Sequence, residues 1–195
     1  MKIPAHAIVH SERLTLRLVD HDDLHDLLEI HASDEVVRYL PFDAWTSMAD
    51  AKTWYQRTML RHGEGSAMQF VMQHRDEGRV IGTALLFHFE EESRRAEIGY
   101  VLGRRYWGDG YAHEGVASLL EFAFDNLNLR RLEAEVDPRN TASGKVLHRL
   151  GFMQEGLLRE RWALKGEITD SGVYGLLRHE WHVGRANAIS SLQET

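Results

Sequence analysis

Gly103 to Ala112 reads GRRYWGDGYA, with Gly103, Gly108 and Gly110 lying between a strand-like segment that ends at Leu102 and helical spacing that opens near Ala112. Glycine lets a backbone approach a ligand closely, the first N–H groups of a helix have no intrahelical partner, and the helix dipole favours negative charge there. A phosphate or pyrophosphate is the natural occupant, although a tight turn alone would use the same glycines. Two well-known phosphate loops fail against these residues. A GxGxxG fingerprint meets His113 at its third glycine, with Gly115 two further on, and the only GK pair upstream of a helix, Gly144–Lys145, is followed by Val146 instead of Ser or Thr.

Three other residues have types suited to chemistry. Glu97 is a carboxylate between Ala96 and Ile98; partial burial raises such a group toward the range useful for taking a proton from an ammonium, while a structural carboxylate accepting hydrogen bonds is the alternative. Asn140 and Ser143 follow Pro138 and suit a turn and a helix N-terminus respectively. Metal chemistry is not expected. Among the 12 histidines, His6 and His10 are four apart, as are His21 and His25, but in HEWH (His179 to His182) the second histidine comes one residue too early for the HExxH pair of ligands. No GxSxG is present, and GEGSA at Gly63 places its serine wrongly for a nucleophile elbow. With no cysteine, thiolate nucleophiles, cysteine zinc sites and disulfides are excluded.

The elements that position these residues alternate. Leu14, Leu16 and Leu18 alternate with Thr15 and Arg17 as a half-buried strand, after which Asp20 caps a helix with Leu24, Leu27, Leu28 and His31 on one face. A second helix is predicted over Ser47–Arg61, followed by a loop from His62 to Ser66. Met68–His74 and Arg79–Phe89 form a hairpin turning at Gly78, and Arg95–Leu102 is a third strand. Helical spacing from Gly110 buries Ala112, Val116, Leu119, Leu120 and Ala123 and ends near Asn126. Arg131–Val136 is a strand, Ser143–Leu150 a short helix closed by Gly151, and Phe152–Ala163 and Thr169–Leu177 are closing strands. The expectation is a mixed α/β domain with a largely antiparallel front half and one β–α–β unit.

The chain has 195 residues, 43% of them hydrophobic. That suits one domain, spanning 1–183, with a flexible tail over 184–195, and a chain of this size buries roughly 70% of its unfolded surface without staples. A formal net charge of -7 repels phosphate backbones, so nucleic acid is not an expected partner. No apolar run reaches the ~20 residues of a membrane span, and the N-terminus lacks the apolar stretch of a signal peptide, so a cytoplasmic protein without membrane partners is expected.

The stretch AEIGYVLGRRYWGDGYAHEGVASLLEFAF, then VDPRNTASGKVLHRLGFMQEGLLRE, Asp170 and the closing GVYGLLRHEW together resemble the GNAT superfamily of acetyl-CoA-dependent N-acetyltransferases. Within it the chain is most similar to the branch that includes the bacterial ribosomal-protein N-acetyltransferases, from Ser11 to Trp181. The resemblance implies a single domain on a mostly antiparallel twisted sheet, splayed at its centre, with flanking helices. It implies acetyl transfer from acetyl-CoA to a primary amine, either a protein N-terminus or a small molecule, in a ternary complex; a non-catalytic CoA-binding or sensory module is the alternative. A homodimer is an open expectation.

By the same resemblance the diphosphate is held by Trp107, Gly108, Asp109, Gly110, Tyr111, Ala112 and His113, with Trp107 standing where the family usually has Gln or Arg. A second register, Arg105 to Gly110, matches the letters better, but the first leaves Ala112 at the helix entry. Backbone N–H groups around Tyr100, Val101 and Leu102 bind the pantetheine and polarise the thioester, with Gly99 marking a bulge or close approach in the strand. Glu97 stands where several members carry a base, Asn140 contacts the pantetheine arm, and Ser143 contacts CoA and hands a proton to the thiolate. Another glutamate used as base in some members is matched here by Trp162, so that role does not transfer. The front half supplies acceptor-cleft candidates in Trp45, Trp54, Tyr55 and the loop from His62 to Ala67, with Glu90, Glu91 and Glu92 as a further acidic feature.

Overall fold

The computed structural model describes residues 4 and 6–184. One eight-stranded sheet runs β1-β2-β3-β4-β5-β6-β8-β7. The strands are β1 (Ile8–His10), β2 (Leu14–Leu18), β3 (Ala67–His74), β4 (Val80–Glu90), β5 (Arg95–Leu102), β6 (Arg131–Val136), β7 (Met153–Leu164) and β8 (Glu167–Leu177). Every neighbouring pair is antiparallel except β5 with β6, which is parallel. A parallel pair needs a crossover, here α4 (Tyr111–Glu121), which widens into a π turn over Phe122–Asn126.

Side chains alternate across a strand, and the sheet separates two cores. Leu14, Leu16, Met68, Phe70, Ala84, Leu86, Ala96, Ile98 and Leu132 face α4 and α5 (Thr141–Arg149), meeting Val116, Leu119, Leu120 and Leu147. The opposite face carries α1 (Leu24–His31), α2 (Asp34–Val37) and α3 (Met48–Gly63), where Val71 meets Leu24, Leu27, Trp45 and Ala51. A Cβ on Gly115 would lie 2.6 Å from Met72 Sδ, so glycine there lets α4 settle directly onto β3.

Strands and helices fall close to their expected places, and the differences have local causes. Asp20 caps a short 3-10 turn, His21–Asp23, that feeds α1. Ser47 caps α3 through a capping box with Asp50, and α3 absorbs His62 and Gly63 from the expected loop. β1 and α2 were not expected, because three and four residues are too short to show a period. Lys165 (φ 51°) and Gly166 (φ 76°) make a two-residue turn between β7 and β8. Residues 178–184 are helical; the rest of the expected tail, 185–195, lies outside the described residues.

Candidate active site

β5 and β6 pair only from Arg95–Arg131 to Glu97–Glu133, although β5 continues to Leu102 and β6 to Val136. The expected splay is therefore present, and it leaves one side of β5 without a strand partner beyond Glu97. The Gly103 N–H donates to the Ile81 carbonyl at 2.8 Å, which fixes the phase of β5 against β4. Because backbone groups alternate sides in an antiparallel pair, Val101 points its N–H to β4 while Tyr100 and Leu102 point theirs into the gap. The expectation that all three amides line the gap is corrected to two.

Trp107 also departs from expectation. Its indole N–H donates to the Leu102 carbonyl at 2.7 Å and its backbone N–H to Arg104 O at 3.4 Å, with Arg104 above its ring. Both donors are spent on fastening the loop to the end of β5, leaving neither for an anion.

Beyond Trp107 the backbone is open. Gly108 has φ +93° with no heavy atom within 4 Å of where a Cβ would stand, and Gly110, the N-cap of α4, has φ +83°. This left-handed region suits glycine. The first bond into the helix runs from Glu114 N–H to Gly110 O at 3.0 Å. Among the described residues nothing accepts from the amides of Gly108, Asp109, Gly110, Tyr111, Ala112 or His113. Unsatisfied donors at a helix N-terminus with room beside Gly108 fit a diphosphate.

Across the gap, Asn140 Oδ1 accepts from Ser143 N–H at 3.2 Å, making Asn140 the N-cap of α5. Tyr100 Oη donates to Ser143 O at 3.1 Å. Burial pushes the Tyr100 phenol up to about 12, so it stays protonated near neutrality. The Ser143 hydroxyl has no partner among the described residues.

On the other face a cleft of about 630 Å³ is lined by Glu97, His88, Glu135, Arg161, Trp162 and Asp170 together with the 34–44 segment. Burial is the main cause that raises the Glu97 carboxyl above its ordinary value, and the His88 hydrogen bond only partly opposes it. His88 Nδ1 lies 3.0 Å from Glu97 Oε2 and donates to it. A register shift between Phe87 and Glu90, with His88 at φ +50°, turns that ring toward Glu97. Glu135 is differently placed: Arg161 Nη2 (3.3 Å), Trp162 Nε1 (3.2 Å) and Ser171 Oγ (3.0 Å) all donate to it. Glu135 thus accepts three hydrogen bonds, whereas Glu97 accepts one, from His88.

The structure gathers Tyr100, Asn140 and Ser143 at the gap and Glu97 in the cleft, with Glu97 on the sheet face opposite to Tyr100. Gly99 is not bulged: β5 stays in register with β4 through it, and a Cβ there would sit 3.8 Å from the Phe87 ring. The acceptor-cleft expectations fail in part. Trp45 is buried, stacked on His31 at 4.3 Å and 5.6 Å from Trp54, so these aromatics form core. Trp54, Tyr55, residues 62–67 and Glu90–Glu92 do not line the cleft. Glu180 accepts from Leu177 N–H and His182 faces Asp125, and among the described residues no cluster of three potential metal ligands forms. His88 and Glu135 were missed because a bulge and a β7 contact leave no local signal.

Residues 13–153 match the model of the acetyltransferase (GNAT) domain. The chain is 38% identical over 173 residues to the uncharacterized N-acetyltransferase p20 of Bacillus licheniformis, covering 89% of this chain and 97% of that protein. It is 28% identical over 184 residues to the [ribosomal protein uS5]-alanine N-acetyltransferase of Escherichia coli (strain K12), covering 90% and 93%. A crystal structure of a GNAT-family acetyltransferase from Bacillus anthracis superimposes with a TM-score of 0.80 at 24% identity, covering 89% of this chain and 99% of that one.

Proposed function

The chain belongs to the GNAT acetyltransferase family, and on that premise we propose how its residues divide the work of moving an acetyl group from acetyl-CoA to an amine. The reaction needs a neutral amine, donors for charge developing on the thioester oxygen, and a proton for the departing thiolate. The observation that carries the assignment is the early end of β5–β6 pairing at Glu97–Glu133, because it opens backbone donors to a ligand beside a helix N-terminus.

The amides of Gly108 to His113 hold the diphosphate. Tyr100 and Leu102 offer their N–H groups to the pantetheine arm and the thioester carbonyl. Glu97, raised by burial, takes the proton from the incoming ammonium in the cleft, and His88 holds that carboxylate in place. Ser143 Oγ gives a proton to the thiolate, while Asn140 and Tyr100 fix the turn that carries it. The gap for the thioester adjoins a separate cleft for the amine, so direct attack in a ternary complex fits best.

The acceptor is a primary amine, either a protein N-terminus or a small molecule. Thiol release with a panel of free-N-terminal peptides and small amines, with mass spectrometry for an added acetyl group, tests the reading. Release with at least one amine is expected; tight CoA binding with no release for any amine would favour a CoA-binding module.

A further inference from the structure

Arg13, in the turn between β1 and β2, reaches the opposite end of the chain's ligand loop. Its backbone N–H and Nε donate to the two oxygens of Glu114, at 2.6 and 2.7 Å, and Ser11 Oγ adds a third bond at 2.7 Å. Its Nη1 donates to the Asp109 carbonyl at 3.0 Å, and its guanidinium lies 4.1 Å from the centre of the Tyr111 ring. A Cβ on Gly110 would stand 3.5 Å from Arg13 Nη2. One side chain thus touches Asp109, Tyr111 and Glu114, all within the loop and the first turn of α4.

We infer that Arg13 is a positioning residue for acetyl-CoA, setting the direction of the Gly110 N–H and keeping the Glu114 charge away from the diphosphate; this rests on the assignment of that loop to the diphosphate. The first part follows from peptide geometry. In a planar trans peptide the carbonyl and the N–H point in opposite directions, so turning the Asp109 carbonyl onto Arg13 turns the Gly110 N–H away from Arg13, where it has no acceptor among the described residues. The second part follows from charge. A carboxylate in the first turn of α4 suits the helix dipole but competes with an anionic ligand for the same field. Burial pushes the Glu114 carboxyl up and the donors from Arg13 and Ser11 more than reverse this, so it stays ionised. Pairing with the guanidinium neutralises it. The fork geometry matters, because a lysine ammonium cannot span Glu114 and the Asp109 carbonyl as a planar five-donor group does.

The test compares Arg13→Gln, Arg13→Lys and Gly110→Val in the full chain, each with KM for acetyl-CoA, KM for the amine, kcat and a melting temperature. Arg13→Gln is expected to raise KM for acetyl-CoA roughly tenfold, the loss of one charge-assisted contact, with KM for the amine and kcat little changed. Arg13→Lys, which keeps a charge for Glu114 but cannot also hold the Asp109 carbonyl, should fall between the wild type and the Gln variant. A wild-type KM in Arg13→Gln, or equal increases for both substrates, overturns the inference, as does full rescue by lysine, which would reduce Arg13 to a diffuse charge. If Gly110→Val also leaves KM for acetyl-CoA unchanged, the loop assignment fails with it; if only the Arg13 variants are silent, the loop assignment stands and this inference alone falls.

Discussion

The Tyr100 hydroxyl donates to the Ser143 carbonyl at 3.1 Å, tying β5 to the first turn of α5 across the gap where β5 and β6 have parted. A splayed pair of strands gives up ladder hydrogen bonds, and this cross-link holds the opening at a fixed width. Tyr100→Phe removes the bond and leaves the ring. A stability loss of about 1 kcal/mol is expected from denaturant titration, with a fall in kcat larger than that loss would explain if the Ser143 turn shifts. An unchanged kcat would show that α5 keeps its place without the bond.

Glu97 is raised by burial and pulled back by His88, so the rate of a base-assisted reaction should climb with pH as Glu97 loses its proton. Glu97→Gln should flatten that limb. His88→Ala removes an influence that lowers the carboxyl, so the limb should move to higher pH; movement to lower pH would contradict the hydrogen-bond assignment.

Ser143 has a free hydroxyl next to two fixed backbone groups. Ser143→Ala should lower kcat at saturating substrates by roughly tenfold or more, with the melting temperature nearly unchanged, because the capping bond uses the backbone N–H. Full activity would leave the thiolate to be protonated by water.

Gly110 sits at φ +83°, where a β-branched residue costs roughly 1–2 kcal/mol of backbone strain. Gly110→Val should therefore lower the melting temperature modestly and raise KM for acetyl-CoA much more than KM for the amine. Equal increases would mean that the loop shapes both sites.

His31 is buried against Trp45, and burial lowers it below its ordinary 6.5. The unfolded chain then binds a proton that the folded chain refuses, so this residue's effect is absent well above pH 6.5 and destabilises increasingly as pH falls below it, at most about 1.4 kcal/mol per pH unit. Urea midpoints at pH 7.5 and 5.5 should separate in the parent and move closer in His31→Leu. An equal separation in both would assign the acid sensitivity elsewhere.

Leu14–Leu18, Arg95–Leu102 and Arg131–Val136 were legible as strands because each exposes a two-residue period over a half-buried face, and Gly110 and Gly151 mark helix ends by local conformation alone. The glycine loop was legible for the same reason: a strand, left-handed glycines and a helix start are neighbours in sequence. Short elements such as β1 and α2 carry too few residues for a period to emerge. The aromatic residues of the front half misled, since Trp45 and Trp54 at helical spacing look the same whether they line a cleft or fill a core.

The sequence by itself determined the longer strands and helices and a glycine turn at a helix start with its family likeness, because propensity, periodicity and capping act over a few residues. Only the tertiary structure decided which groups meet: Trp107 with the Leu102 carbonyl, His88 with Glu97, Tyr100 with Ser143, and Arg13 with Asp109 and Glu114. Apart from the short-range first pair and the bulge-driven second, these partners lie far apart along the chain. Their distances are set by sheet order, by where β5 leaves β6, and by how α4 and α5 pack against the sheet, none of which a local pattern encodes.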